Sequence, residues 1–203
     1  MAIASLTKFT VPLGQGTAAQ GMLMPKLKYR FRVTFLNFGI SGSTTELTKQ
    51  VKTFGRPNVT FEEGTIDIYN SKIKYAGKPS WGDASLVLRD DATGQVSKLV
   101  GEQLQKQFDF MEQASARSGI DYKFQTNIEI LDGGNGALAP EVLETWELYG
   151  CFLSEANYNE MDYSSSEVLE INLTIKFDNA LQKPDGSGVG ANVGRTLGTV
   201  VTG

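Results

Sequence analysis

Two segments near opposite ends of the chain alternate with a period of two, and any fold must bury one side of each. Across residues 26–36, Leu27, Tyr29, Phe31, Val33 and Phe35 share one parity, and Lys26, Lys28, Arg30, Arg32 and Thr34 share the other. Across residues 168–178, Leu169, Ile171, Leu173, Ile175 and Phe177 alternate with Glu170, Asn172, Thr174 and Lys176. Successive side chains of a strand point to opposite faces, so each segment predicts a strand with one buried face and one that is wet or meets a partner. The row of basic residues on the first strand has two readings: a solvated face that discourages edge pairing, or a subunit contact.

The stretch between them continues the β pattern. Residues 70–91 read as a hairpin: a strand at 72–76, a break at Gly77-Lys78-Pro79, and a second strand at 84–89, with Trp81 as an anchor. Residues 58–69 read as a long strand with a fault. Val59 and Phe61 share one parity, Ile66 and Ile68 the other, and the switch at Glu62-Glu63-Gly64 predicts a bulge. Residues 47–54 and 121–131 add strands. Residues 141–153 are apolar on both parities (Val142, Trp146, Leu148 and Phe152; Leu143, Tyr149, Cys151 and Leu153), which predicts a central strand covered on both sides. Asp132-Gly133-Gly134-Asn135-Gly136 is a turn signal.

One segment changes period. Val96, Leu99, Val100, Leu104, Phe108 and Met111 recur at three and four, predicting an amphipathic helix over about 95–116. Asp91 or Thr93 is the expected cap and Ser118-Gly119 the stop. The expected fold is mainly β with one α-helix: an antiparallel β-sandwich or barrel with that helix flanking it. Residues 1–23 read as an extended arm, 24–181 as the domain and 182–203 as a Gly-rich tail. Gly186-x-Gly188 follows no βαβ unit and is set aside as a nucleotide motif.

Composition removes whole classes of chemistry. The 203 residues include no histidine and one cysteine. The usual general base, the Ser-His and Cys-His pairs and the commonest zinc ligand are therefore missing. Cys151 reads as a buried structural residue, and a reducing compartment fits. Glu62-Glu63 and Asp90-Asp91 are doublets, but neighbours in an extended chain face opposite ways and cannot share a site. Asp121, Asp162 and Asp178 have no metal spacing. No catalytic, metal or cofactor-binding residue is expected. The formal net charge of −4 argues against a free-standing nucleic-acid binder. No signal peptide and no membrane-length apolar run is read.

Three stretches carry a resemblance to a known family. Ile73-Lys-Tyr-Ala-Gly-Lys-Pro-Ser-Trp-Gly-Asp-Ala-Ser-Leu-Val-Leu-Arg-Asp-Asp91 resembles the strand, turn, aromatic and strand that lead into the helix of the tail tube proteins of contractile-tailed bacteriophages. Glu147-Leu-Tyr-Gly-Cys-Phe-Leu-Ser154, the acidic and serine-rich link from Asn157, and the strand ending at Phe177 resemble that family's closing hairpin. The segment from Met24 resembles its first strand. Together these cover about residues 24–180.

The resemblance implies hexameric rings with a continuous inner β-barrel, stacked into a tube within a contractile sheath. Sheath, baseplate and tape-measure proteins are the expected partners, with viral DNA passing down the lumen unbound. It implies a virion component assembled in the host cytoplasm, with no membrane and no cofactor. A basic lumen would hold a duplex through its phosphates. Glu62, Glu63 and Glu129 are therefore expected to line the channel, and Lys28, Arg30 and Arg32 to make subunit contacts instead. The polar excursion at 37–49, with Ser41, Thr44 and Glu46, and the two tails are expected between rings. The alternatives are the tube of a phage-derived injection particle, a tube terminator or hub, and a monomeric ligand-binding β-barrel.

Overall fold

The computed structural model describes residues 25–132, 140–183 and 188–190. The N-terminal arm, most of the expected turn at 132–136 and nearly all of the Gly-rich tail lie outside them. The described elements run β1 (Phe31–Leu36), α1 (Thr45–Gln50), β2 (Val51–Phe54), β3 (Val59–Ile68), β4 (Ser71–Trp81), β5 (Ala84–Arg89) and α2 (Gln95–Gln107). There follow β6 (Phe108–Asp109), β7 (Ala114–Ser115), α3 (Gly119–Tyr122), β8 (Phe124–Leu131), β9 (Val142–Asn157), β10 (Glu170–Lys176) and β11 (Asn179–Lys183).

The alternating segments pair as a large antiparallel sheet in the order β1-β8-β9-β10-β5-β2, with β11 beside the first half of β9. Their apolar parities turn inward. Val33, Phe35, Phe124, Ile128, Leu148, Leu153, Ile171, Leu173, Ile175, Leu86 and Leu88 join Val96, Leu99 and Val100 of α2 in one core. Each such side chain contributes roughly 1.5–3 kcal/mol on burial. Phe38 stacks between Phe35 (5.5 Å) and Phe124 (4.9 Å, edge-on). β1 and β2 end the sheet without pairing to each other. The expected barrel is therefore an open roll in a single chain, not a closed one.

Three expectations about elements need correction. First, there are three helices among the described residues, not one. α1 and α3 are too short to display a period, and α1 takes part of the strand expected at 47–54. α2 itself stops at Gln107, because Phe108 turns into the small β6–β7 hairpin. Gly94, at φ +67°, is its N-cap, and Asp91 reaches in from outside to accept the Val96 N–H at 3.0 Å. Ser118 is not a stop but the cap of α3, accepting from the Ile120 N–H.

Second, the hairpin is β3–β4, not β4–β5. β4 runs through Gly77-Lys78-Pro79 to Trp81, the turn sits at Tyr69 (φ +40°), and β5 pairs with β10 and β2 instead. Pro79 is tolerated because a two-stranded ribbon is all edge, and its missing N–H can face outward. The bulge falls where the parity switched, but on the partner strand. β3 steps from Phe61 to Glu63 while β4 steps from Pro79 to Ala76, so β4 carries the extra residue.

Third, β9 is not covered on both sides. Glu144, Trp146 and Leu148 are buried before Gly150, and Cys151 and Leu153 after it. Gly150 has φ +67°, and the register jumps from Thr126↔Leu148 to Phe124↔Cys151. A bulge swaps the parity of one strand, and the strand passes there from β11 to β10. Cys151 is fully buried, and burial pushes its thiol up to about 11.

Candidate assembly interface

The β3–β4 ribbon is an arm. At its root Trp81 packs on Phe177 (5.6 Å between centroids), and Gly82 donates to the Asn58 carbonyl at 2.8 Å. Among the described residues, every side-chain hydrogen bond and ion pair of the arm beyond Phe61 is internal. Ten residues of strand extend about 33 Å. The cross-strand register sorts the distal part into two faces. Glu63, Thr65, Asp67, Lys72 and Lys74 form one, with bridges Lys74–Glu63 at 2.7 Å and Lys72–Asp67 at 3.2 Å. Gly64, Ile66, Ile68, Ile73 and Tyr75 form the other.

This second face is apolar and uncovered: Ile66 is 52% exposed, Ile73 51% and Tyr75 53%. Tyr75 lies flat over Gly64, where a Cβ would sit 2.2 Å from the ring. The two apolar parities seen in the sequence thus serve different bodies. Val59, Phe61 and Trp81 belong to the root, and the isoleucines of the tip are left exposed among the described residues.

The other expected site residues separate onto three surfaces. Glu62 and Glu63 are on the arm. Glu129 is on β8, directly opposite Arg32 of β1, and the two form an ion pair at 2.5 Å. Glu129 and Arg32 therefore share a face of the β1–β8 pair. Arg30 donates to the Asp132 carbonyl at 2.5 Å, and Lys28 lines the seam where β1 and β2 fail to meet. Ser41 bonds to Glu102 of α2 through its N–H (2.9 Å) and its hydroxyl (2.5 Å). Thr44 donates to the Phe35 carbonyl at 2.8 Å, and Glu46 pairs with Lys49 at 2.7 Å. The 37–49 excursion is thus tied to its own body.

Sequence reasoning missed Glu144. It sits in the apolar run of β9, 5% exposed, and receives Lys26, Arg56 (2.9 Å), Trp146 Nε1 (2.6 Å) and Gln182 Nε2 (2.8 Å). Burial alone would raise its carboxyl pKa. The hydrogen bonds from Lys26 and Trp146 and the charges of Lys26 and Arg56 hold it below the usual range. The available signal was an acid on the inward parity, two residues before a tryptophan.

Around the β1–β2 seam a cleft of about 830 Å³ is rimmed by basic residues. Most are ion-paired: Lys26 and Arg56 share Glu144, Arg32 pairs with Glu129, Lys49 with Glu46, and Lys52 with Glu170 at 2.5 Å, but one carboxylate serves two of these cations and the rim keeps an excess of positive charge. Among the described residues no group of acidic, Cys or His side chains could hold a metal ion, and no helix is long and apolar enough to cross a membrane.

Solved structures share this architecture over most of the chain. A chain of the anti-feeding prophage cap, described as a tube-terminating cap, superposes with a TM-score of 0.58 at 14% identity, covering 80% of this chain and 93% of that one. The fold is that of contractile-particle tube and cap components. A chain from the sheath/tube terminator of the PVC extracellular contractile injection system, in the extended state, gives 0.57 at 15% identity, covering 81% and 100%. One from the PVC sheath–tube complex gives 0.55 at 15%, covering 78% and 91%. No protein-family model and no curated relative matches the sequence. The resemblance read from the sequence holds at the level of fold.

Proposed function

We propose that this chain is a structural subunit of the tube, or of the tube's end, in a contractile particle, and that it works by assembling with copies of itself. The arm carries this reading. A ribbon whose apolar tip face is left bare is costly in a lone soluble protein and becomes favourable when another body covers it. The edges of β1 and β2 at the open seam are a second surface that association can satisfy. Edge-to-edge joining by rotation closes a ring, and stacking extends it into a tube.

In this reading the copies form hexameric rings, with sheath, baseplate and tape-measure proteins as partners. The resemblance favours a phage tail with viral DNA passing through, assembled in the cytoplasm. The similar structures, from a prophage particle and an extracellular injection system, support an injection particle equally. The proposal needs no bond-making chemistry. Negative-stain microscopy of the concentrated protein tests it: rings or tubes of one diameter are expected, and a monomer under all conditions refutes it. Copy number in the particle separates tube (many) from terminator (few).

A further inference from the structure

We infer that the arm of one copy seats in a trough at the opposite end of the next copy, between the 158–169 link and the ends of β2, β5 and β10. This rests on the chain being a self-assembling subunit, and it names the surface that receives the arm. The arm is rooted beside Ala84, where β5 begins, and Trp81 packs on Phe177 after the end of β10. The trough is lined by Lys52, Arg89, Asn157 and the link through Glu170, at the other end of the same strands. A copy therefore offers a projection at one end and a receptor at the other. Such a head-to-tail contact repeats without limit unless a ring or a cap ends it.

The trough suits a chain segment better than a small molecule. Its volume is about 1360 Å³, above the roughly 300–1,000 Å³ of ordinary ligand pockets. Met161 (87% exposed) and Val168 (61%) stand bare on its wall, opposite in role to Ile66, Ile68 and Ile73 of the arm. Glu160, Asp162 and Glu167 line it beside Lys52 and Arg89, and the arm's other face carries both signs to meet them, Lys72 and Lys74 with Glu63 and Asp67. Those lysines are held within the arm only by exposed pairs, which are weak enough to exchange. The link keeps its shape beforehand. Asn159 donates to the Glu170 carbonyl at 2.8 Å and accepts from Asn172 at 3.1 Å, and Asp162 binds the Ser164 N–H and hydroxyl at 2.9 and 2.7 Å.

The test uses two full-length variants, Ile73→Cys and Met161→Cys, mixed, assembled and treated with a short bis-maleimide. Native Cys151 is buried and its thiol stays protonated, so it does not react. A cross-linked dimer at least tenfold above that from Ile73→Cys mixed with Thr34→Cys is expected. Tubes that form without this dimer, or that give equal yield with the Thr34→Cys control, overturn the inference and leave the proposed function standing. Failure of the unaltered chain to assemble overturns both.

Discussion

At the scale of single residues, Glu144 fixes how segments distant in sequence meet. It ties Lys26, where the described chain begins, and Arg56, at the entry to the arm, to β9 and β11. Replacing it with alanine strands the buried Trp146 donor and leaves the half-buried Gln182 amide without its acceptor. Glu144→Ala should lower unfolding stability by about 1–3 kcal/mol, read as a shift in the urea midpoint at unchanged slope. Gly150 is the second such residue. A Cβ there would sit 2.1 Å from the Asp178 carboxylate, at φ +67°. Gly150→Ala should cost about 1–2 kcal/mol from the backbone alone, and more because Asp178 must leave Lys123, its partner at 2.6 Å. A calorimetric melting point unchanged from the parent would refute that.

At the scale of elements, legibility depended on whether a residue's reason lay within its own segment. β1, β8 and β10 were readable because alternation is local, and the core they form follows from it. β9 was misread because a parity swap and two-sided burial produce the same apolar string. Only the positive φ at Gly150 separates them. The arm was split wrongly because Gly77-Lys78-Pro79 is a turn signal anywhere except in a ribbon that is all edge. The apolar residues of its tip were visible, but what they face is not among the described residues. Glu144 was invisible for a related reason: its cationic partners lie 118 and 88 positions away.

The arm makes its own prediction. Ile66→Asp with Ile73→Asp should leave circular dichroism and the melting temperature within error of the parent, since neither side chain touches the core. The same pair should abolish tubes in the microscope. Loss of the fold instead would mean the tip supports the body.

At the scale of the whole molecule, the acidic groups set how stability depends on pH. Several sit below their ordinary range. Glu102 is held there by hydrogen bonds from Ser41 and Ile40, Asp109 by those from Glu112 and Gln105, Glu147 by that from Tyr149, and Glu144 as described. A carboxyl whose folded pKa is depressed stabilises above its unfolded pKa, near 4, and that contribution is lost as pH falls through the folded value. With no histidine to titrate, the urea midpoint should be flat from about pH 8 to 5 and fall steeply below about 4. A decline between pH 7 and 5.5 would contradict this.

The order of the sheet also has a consequence for synthesis. β1 leaves the ribosome among the first described residues, yet among those residues its strand partner is β8, with Arg32 and Glu129 separated by 97 positions. At 5–20 residues per second, the nascent strand waits roughly 5–20 s before anything exists for it to join. Throughout that interval Phe31, Val33 and Phe35 are a naked, sticky template, and the cationic side chains beside them guard the chain against a premature embrace.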